Sequence, residues 1–293
     1  MVLEMLMSSR NATLTSWWKL LAIGAIYATV GIIIAAWVFP QYASMVMVFL
    51  TVLGMAYLMH EIVLKEEEYD EENDHTPHDI LIHHGQALMV FMLLFFGMLI
   101  AYTFWYAALP WVNTTESGIF ANLDIRTVFA AQNDTVQRIT GQSFTGAATG
   151  LTEWFMVILL NNLGVLLFSF LFGFFYGYGG IFVLSWNASV IAAAAGSTFK
   201  NALAGGLSIP EKIWVFFASW LAYMPHGAFE MLGFFVGALA AGILGAGIAR
   251  KVWRDQEKFA RVLADFVIFS FIAIFLIFFA AIIEVWVTPA LVL

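Results

Sequence analysis

The chain alternates between long apolar segments and short polar ones. Seven segments are apolar over a length near the roughly 20 residues that a helix needs to cross a bilayer. They are residues 17–39, 43–60, 80–109, 153–176, 178–195, 213–248 and 262–287. The fifth is short and polar for a span, so a re-entrant segment and a count of six stay open. The pattern predicts an all-α, polytopic integral membrane helix bundle with six or seven transmembrane helices.

Composition supports the same class. Hydrophobic residues make up 62% of the 293 residues and charged residues 11%, whereas soluble domains contain about half and about a quarter. The net charge of −8 disfavours nucleic acid as a partner, because its phosphates are bound by basic surfaces. The lack of cysteine excludes disulfides, thiolate nucleophiles and cysteine-ligated zinc.

Lysine and arginine in the short loops predict the orientation, because their excess faces the cytoplasm. We expect a multi-pass protein of the plasma membrane with a cytoplasmic N-terminus. Residues 1–79 then form a helical hairpin with an acidic cytoplasmic loop at 61–79, and residues 80–293 form a membrane core with an external loop at 110–152. Eight basic residues face the cytoplasm and four face outward: Arg10, Lys19, Lys65, Arg250, Lys251, Arg254, Lys258 and Arg261, against Arg126, Arg138, Lys200 and Lys212.

The acidic loop has two interpretations. It holds nine Asp or Glu and one Lys, and His75, His78, His83 and His84 lie in or beside it. This set could form a divalent-metal or pH-sensing patch. A charge run is more often a solvated segment, so we favour a solvated turn with unrelated histidines.

Polar residues inside the apolar segments are the candidate site. A charged side chain at the bilayer centre costs roughly 2.5–3.5 kcal/mol on insertion scales. His226 and Glu230 are four residues apart and share one helix face. Pro225, directly before His226, removes a backbone hydrogen-bond donor. We expect a helix interrupted by Pro225 and Gly227, with its polar groups pointing at protein or water. The full set is Asn161, Asn162, Asn187, His226, Glu230 and Glu284.

These residues favour hydrogen bonding between helices over a role in transport or catalysis. We expect His226 and Glu230 to bond to the asparagines. A catalytic zinc needs three protein ligands, and Glu284 lies near the end of its segment, so we expect no metal and no cofactor. Glycines predict close helix packing. They are the GxxxG pairs at 173–177 and 233–237, followed by Gly242, Gly245 and Gly247.

Several of these residues resemble a known family. Asn161–Asn162, Asn187, the PHGxxE string from Pro225 to Glu230, and the IExxxTP string from Ile283 to Pro289 resemble the stage II sporulation protein M (SpoIIM) family. The resemblance covers about residues 153–293, and the preceding part is similar, more loosely, to archaeal members. Ala188 stands where the family's pattern has glycine after the asparagine.

The resemblance implies a non-enzymatic membrane scaffold, since the bacterial namesake resembles an anchor that recruits cell-wall-degrading enzymes during sporulation. The expected partners are the lipid bilayer, membrane or cell-envelope proteins, and a second copy of the chain. One alternative is a transporter or channel that uses the buried His226, Glu230 and asparagine cluster. A second alternative is an intramembrane metal-dependent hydrolase.

Overall fold

A bundle of long helices makes up the computed structural model, which describes residues 17–72, 77–110, 123–146, 150–176, 180–206 and 208–289. No β-strand occurs within these ranges, which agrees with the all-α prediction. Short 3₁₀ turns at Pro40–Tyr42 and Val252–Arg254 join neighbouring helices, and a π-helical turn at Ile283–Val287 follows the last. The α-helices are α1 Trp17–Val38, α2 Ala43–Glu72, α3 Pro77–Ala108, α4 Ile125–Val128, α5 Ala130–Gly146, α6 Leu151–Tyr176, α7 Gly180–Ala204, α8 Ile209–Ala249 and α9 Gln256–Ile282.

Seven helices of the described part are long and apolar enough to cross a membrane: α1, α2, α3, α6, α7, α8 and α9. The prediction of a polytopic bundle is confirmed, with the higher of the two counts. The uncertain fifth segment is α7, which has 25 residues. At 1.5 Å per residue α7 is about 37 Å long, which is enough for a full crossing.

Glycines bring the helix backbones into direct contact. A Cβ added to Gly97 of α3 would lie 2.1 Å from the carbonyl oxygen of Leu21 in α1. A Cβ on Gly245 of α8 would lie 2.6 Å from the carbonyl oxygen of Phe174 in α6. Such contacts are typical of small-residue interfaces between membrane helices. The glycine-rich face predicted for α8 is therefore a packing surface, and Gly173 of α6 packs against it at Ala241. Gly177, the other member of the α6 pair, lies outside the described residues.

The centre of the bundle is α8. Of the window that could span the membrane, 89% is buried by neighbouring helices. The predicted interruption at Pro225 takes the form of a proline inside a helix that continues from Ile209 to Ala249. With 41 residues, α8 is about 60 Å long, twice the roughly 30 Å of the hydrocarbon layer. A crossing of about 20–25 residues, counted back from Ala249, ends near Pro225, so the first part of α8 extends beyond the spanning part.

Part of the predicted external loop enters the bundle. The side chains of Ile125, Val128, Phe129 and Gln132 are buried. The ring of Phe129 lies edge-on to that of Tyr106 in α3, with 5.0 Å between centroids. Residues 110–152 were predicted only as an external loop. In the described part they supply α4 and α5, and the first turns of α5 are part of the core.

Contacts between helix ends define two faces of the bundle. The Lys200 face contains the ends of α3 and α7, where the Lys200 ammonium donates to the carbonyl oxygens of Ala107 and Leu109. The Arg250 face contains the ends of α2 and α8, where the Arg250 guanidinium donates to Glu67. Because α8 ends at the Arg250 face, its extension beyond the span lies on the Lys200 face.

Candidate functional site

The three predicted asparagines lie in different surroundings. Asn161 is exposed on α6 and donates from Nδ2 to Oδ1 of Asn162 at 3.2 Å. Asn162 is buried. Asn187 of α7 is half-buried and donates to the carbonyl oxygen of Val183 in its own helix, at 2.8 Å. The asparagines therefore belong to two helices and do not share one environment.

His226 has a partner that was not predicted. Its Nδ1 lies 3.1 Å from the hydroxyl oxygen of Thr288, which follows the π-helical turn after α9. His226 is buried. The Glu230 and Glu284 carboxyl groups lie close enough to interact electrostatically. The structure thus brings His226, Glu230, Glu284 and Thr288 together where α8 meets the end of α9.

We predict that replacing Thr288 separates a packing role from a hydrogen-bonding role. Thr288→Val keeps the shape but removes the hydroxyl next to His226, so we expect a loss of about 1 kcal/mol in the free energy of unfolding. Thr288→Ser keeps the hydroxyl and serves as the control. Thermal unfolding in lipid nanodiscs measures both variants. A Val variant as stable as the Ser variant would show that this bond contributes nothing to the fold.

A second polar cluster lies at the Arg250 face and was missed. Glu66 and Glu67 of α2 are buried, and so is His84 of α3. Glu66 Oε2 contacts His84 Nδ1, and Glu67 Oε2 accepts from Arg250 Nη1. The solvated turn favoured for the acidic loop is wrong for these residues, because α2 continues as a packed helix into the charge run. His75 lies outside the described residues, as do the side chains of His78 and His83.

A helical period was the signal that could have found this cluster. Met59 and Val63 are buried and precede Glu67 at steps of four. All three side chains therefore lie on one face of α2. The run of Asp and Glu at residues 66–72 obscures this periodicity in the sequence. The His84 ring also packs edge-on against Phe269 of α9, at 5.0 Å between centroids. The cluster therefore connects α2, α3, α8 and α9.

A third polar group lies in the middle of the core. The Tyr102 hydroxyl donates to Thr51 Oγ1 at 3.0 Å and lies 3.1 Å from Ser185 Oγ. Nearer the Lys200 face, Gln132 Nε2 donates to the Ser44 carbonyl oxygen at 3.0 Å and to Ser189 Oγ at 3.1 Å. These bonds join α2, α3, α5 and α7.

These polar groups do not form a metal centre. Among the described residues, no three His, Asp or Glu side chains are arranged to hold a metal ion. His226, Glu230 and Glu284 therefore do not form the three-ligand set that the hydrolase hypothesis needs.

Comparison with protein families identifies the chain. The family model described as Stage II sporulation protein M (SpoIIM) matches residues 90–289, well over half of the 293 residues. The chain belongs to the SpoIIM family. The SpoIIM match starts inside α3 and includes His226, Glu230, Glu284 and Thr288, whereas Glu66, Glu67 and His84 precede it. Comparisons with curated proteins and with solved structures give no match.

Proposed function

We propose that this SpoIIM protein is a non-enzymatic membrane scaffold that organises partner proteins at the cell membrane. The extension of α8 is the observation that carries the proposal. It places apolar side chains beyond the span, where Trp214 is 70% exposed and Phe217 is 62% exposed. Exposed aromatic residues on a helix face are typical anchors for a partner protein.

The extension is a regular helix from its first residue, which suits a docking surface. Ser208 and Glu211 form a capping box, in which the Glu211 carboxylate accepts from the Ser208 backbone N–H at 2.8 Å. Hydrogen bonds from Ser208 hold the pKa of Glu211 below its ordinary value. A capped helix presents its side chains in a fixed arrangement, so less entropy is lost on binding.

Site-specific crosslinking from native membranes tests the scaffold role. The chain has no cysteine, so Trp214→Cys can carry a single photoreactive label. Phe271→Cys is the matched control, because Phe271 is 69% exposed on the spanning helix α9. We expect one discrete protein adduct from position 214 and only lipid adducts from position 271. Lipid adducts alone from both positions would contradict the proposal.

The exposed surface of α6 favours a second copy of the chain as one partner. Only 22% of its spanning window is buried, and Asn161 on its exposed face sits near the middle of the helix. A carboxamide both donates and accepts, so two copies of Asn161 can pair across a two-fold axis. Gly164 follows one turn later with open space around it, which allows the two helices to approach closely.

Disulfide crosslinking tests this contact. Val157 lies on the Asn161 face of α6 and is 46% exposed, while Met156, about 100° away around the helix, is 45% exposed. We expect oxidation to dimerise Val157→Cys much faster than Met156→Cys, and Asn161→Leu to slow the Val157→Cys reaction. Equal rates at the two positions would exclude this face as the contact between copies.

A transporter is the second candidate function, and the proximity of the Glu230 and Glu284 carboxyl groups beside His226 favours it. Ionisable groups inside a membrane protein commonly mark ion paths. Broken helices and re-entrant segments are typical of transporters, whereas α8 is continuous through Pro225 and α7 has the length of a full span. Ion flux into proteoliposomes, compared between the wild type and Glu230→Gln, tests it. Flux that is equal in both would exclude Glu230 from a path.

We predict that the Arg250 face is cytoplasmic, as the excess of basic residues indicates. Single cysteines at Trp253 and at Asp134 report the two faces, since both side chains are exposed. A membrane-impermeant maleimide should label Asp134→Cys in intact cells and Trp253→Cys only after permeabilisation. The opposite pattern would invert the topology, including the proposed cytoplasmic placement of the N-terminus and of loop 61–79.

A further inference from the structure

The short connection between α8 and α9 lines an open basic pocket. Its volume is about 280 Å³, and its lining is Arg250, Lys251, Val252, Arg254, Asp255 and Lys258. Four of these six residues are cationic. The connection joins two spanning helices, since α8 ends at Ala249 and α9 begins at Gln256. Because so few residues join the two spanning helices, the connection stays at the membrane surface. The pocket therefore lies at the depth of the lipid headgroups.

The one carboxylate among the lining residues is already hydrogen-bonded within the protein. Asp255 Oδ1 accepts from the backbone N–H groups of Glu257 and Lys258, at 3.1 and 3.3 Å, and caps the first turn of α9. The positive end of the helix disperses part of its charge. Counting Glu67, which pairs with Arg250, the site holds four cations against two carboxylates and keeps a net positive charge.

Two further features suit a ligand at the membrane surface. Lys251 has a φ of 65°, a left-handed conformation that costs free energy for a residue with a side chain and recurs at ligand-binding turns. Trp253 is exposed beside the pocket, with the Arg254 guanidinium 5.6 Å from its ring centroid. Tryptophan is enriched at the membrane–water interface, so it fixes the turn at headgroup level.

We propose that this pocket binds a phosphate group, supplied by the headgroup of an anionic lipid. Arginine and lysine are the side chains that bind phosphate, arginine in a fork and lysine as a point charge. Each basic residue near an anionic membrane surface contributes about one kcal/mol to its attraction, which corresponds to about fivefold in affinity. The site goes beyond the scaffold role, because it lies on the face opposite the α8 extension and needs no protein partner.

Lipid retention in nanodiscs tests the proposal. Wild type and the double variant Arg254→Gln/Lys258→Gln are compared in phosphatidylglycerol and in phosphatidylcholine, with bound lipid counted by native mass spectrometry. The matched control, Arg138→Gln/Lys212→Gln, removes two positive charges from the Lys200 face. We expect tight phosphatidylglycerol binding to the wild type and the control, and binding about 30-fold weaker in the pocket variant.

A second arm separates the two sources of phosphate. Inorganic phosphate is titrated into the wild type in phosphatidylcholine nanodiscs, and binding is followed by calorimetry. Binding of phosphatidylglycerol alone identifies a lipid headgroup site, while binding of inorganic phosphate through the same residues identifies a site for a soluble phosphate compound. If the pocket variant retains phosphatidylglycerol like the wild type and inorganic phosphate does not bind, the proposal is wrong. Crosslinking from position 214 does not depend on either result, so the scaffold role is tested separately.

Discussion

Gly97→Ala should destabilise the protein strongly, although it adds a single methyl group. The new Cβ would lie 2.1 Å from the Leu21 carbonyl oxygen and 3.1 Å from the Ala25 nitrogen. Both are backbone atoms, so no side-chain rotation can relieve the contact, and α1 and α3 must separate. We expect a loss of about 3 kcal/mol, the upper part of the range for overpacking, measured by thermal unfolding in nanodiscs.

Gly85→Ala is the control for that experiment. Gly85 lies in the same helix, α3, and a Cβ there would have open space around it. Alanine is the better helix former, so this variant should be as stable as the wild type or slightly more stable. Equal stability of the two variants would mean that α1 and α3 do not pack backbone to backbone.

Arg250→Met should also cause a large loss of stability. The Glu67 side chain is 0% exposed and is paired with Arg250, which is 37% exposed. Removing the cation leaves a buried carboxylate without this counter-charge, which typically costs about 3–5 kcal/mol. We expect the lower end of that range, because water already reaches Arg250. Thermal unfolding in nanodiscs again gives the measurement.

Two variants check the cause. Arg254→Met removes an exposed arginine from the same connection and should cost much less, because exposed charges contribute little. Glu67→Met/Arg250→Met removes both members of the pair and should recover much of the loss, since a buried pair is often replaceable by apolar side chains. A double variant less stable than Arg250→Met would show that Glu67 contributes to folding independently of Arg250.

The sequence predicted the spans well because the bilayer imposes one requirement on each of them. A segment that crosses the hydrocarbon must be apolar over a set length and must bond its own backbone groups. That requirement is local, so hydropathy alone located the seven helices. It does not apply beyond the membrane boundary. The continuation of α2 past residue 60 was not predicted, and the predicted apolar segment 213–248 did not separate the spanning part of α8 from its extension.

Contacts between helices were predicted less well, because they depend on register. Thr288 was not predicted as a partner of His226, but antiparallel packing of α8 and α9 places it there. No local pattern in the sequence states which residues of two packed helices meet. The entry of Gln132 into the core was missed for the same reason, since its acceptors on Ser44 and Ser189 are far away in sequence.

The position of Gln132 also has a consequence for synthesis, because its two bonds cannot form at the same time point of translation. One of its acceptors, in α2, leaves the ribosome before Gln132, whereas the other, in α7, leaves after it. The contacts of the segment from Ile125 to Gln132 with α2 and α3 can form first, because both helices are made before it. The bond to Ser189 can form only when α7 has been inserted, so the packing of Gln132 between α2 and α7 is completed late in biogenesis.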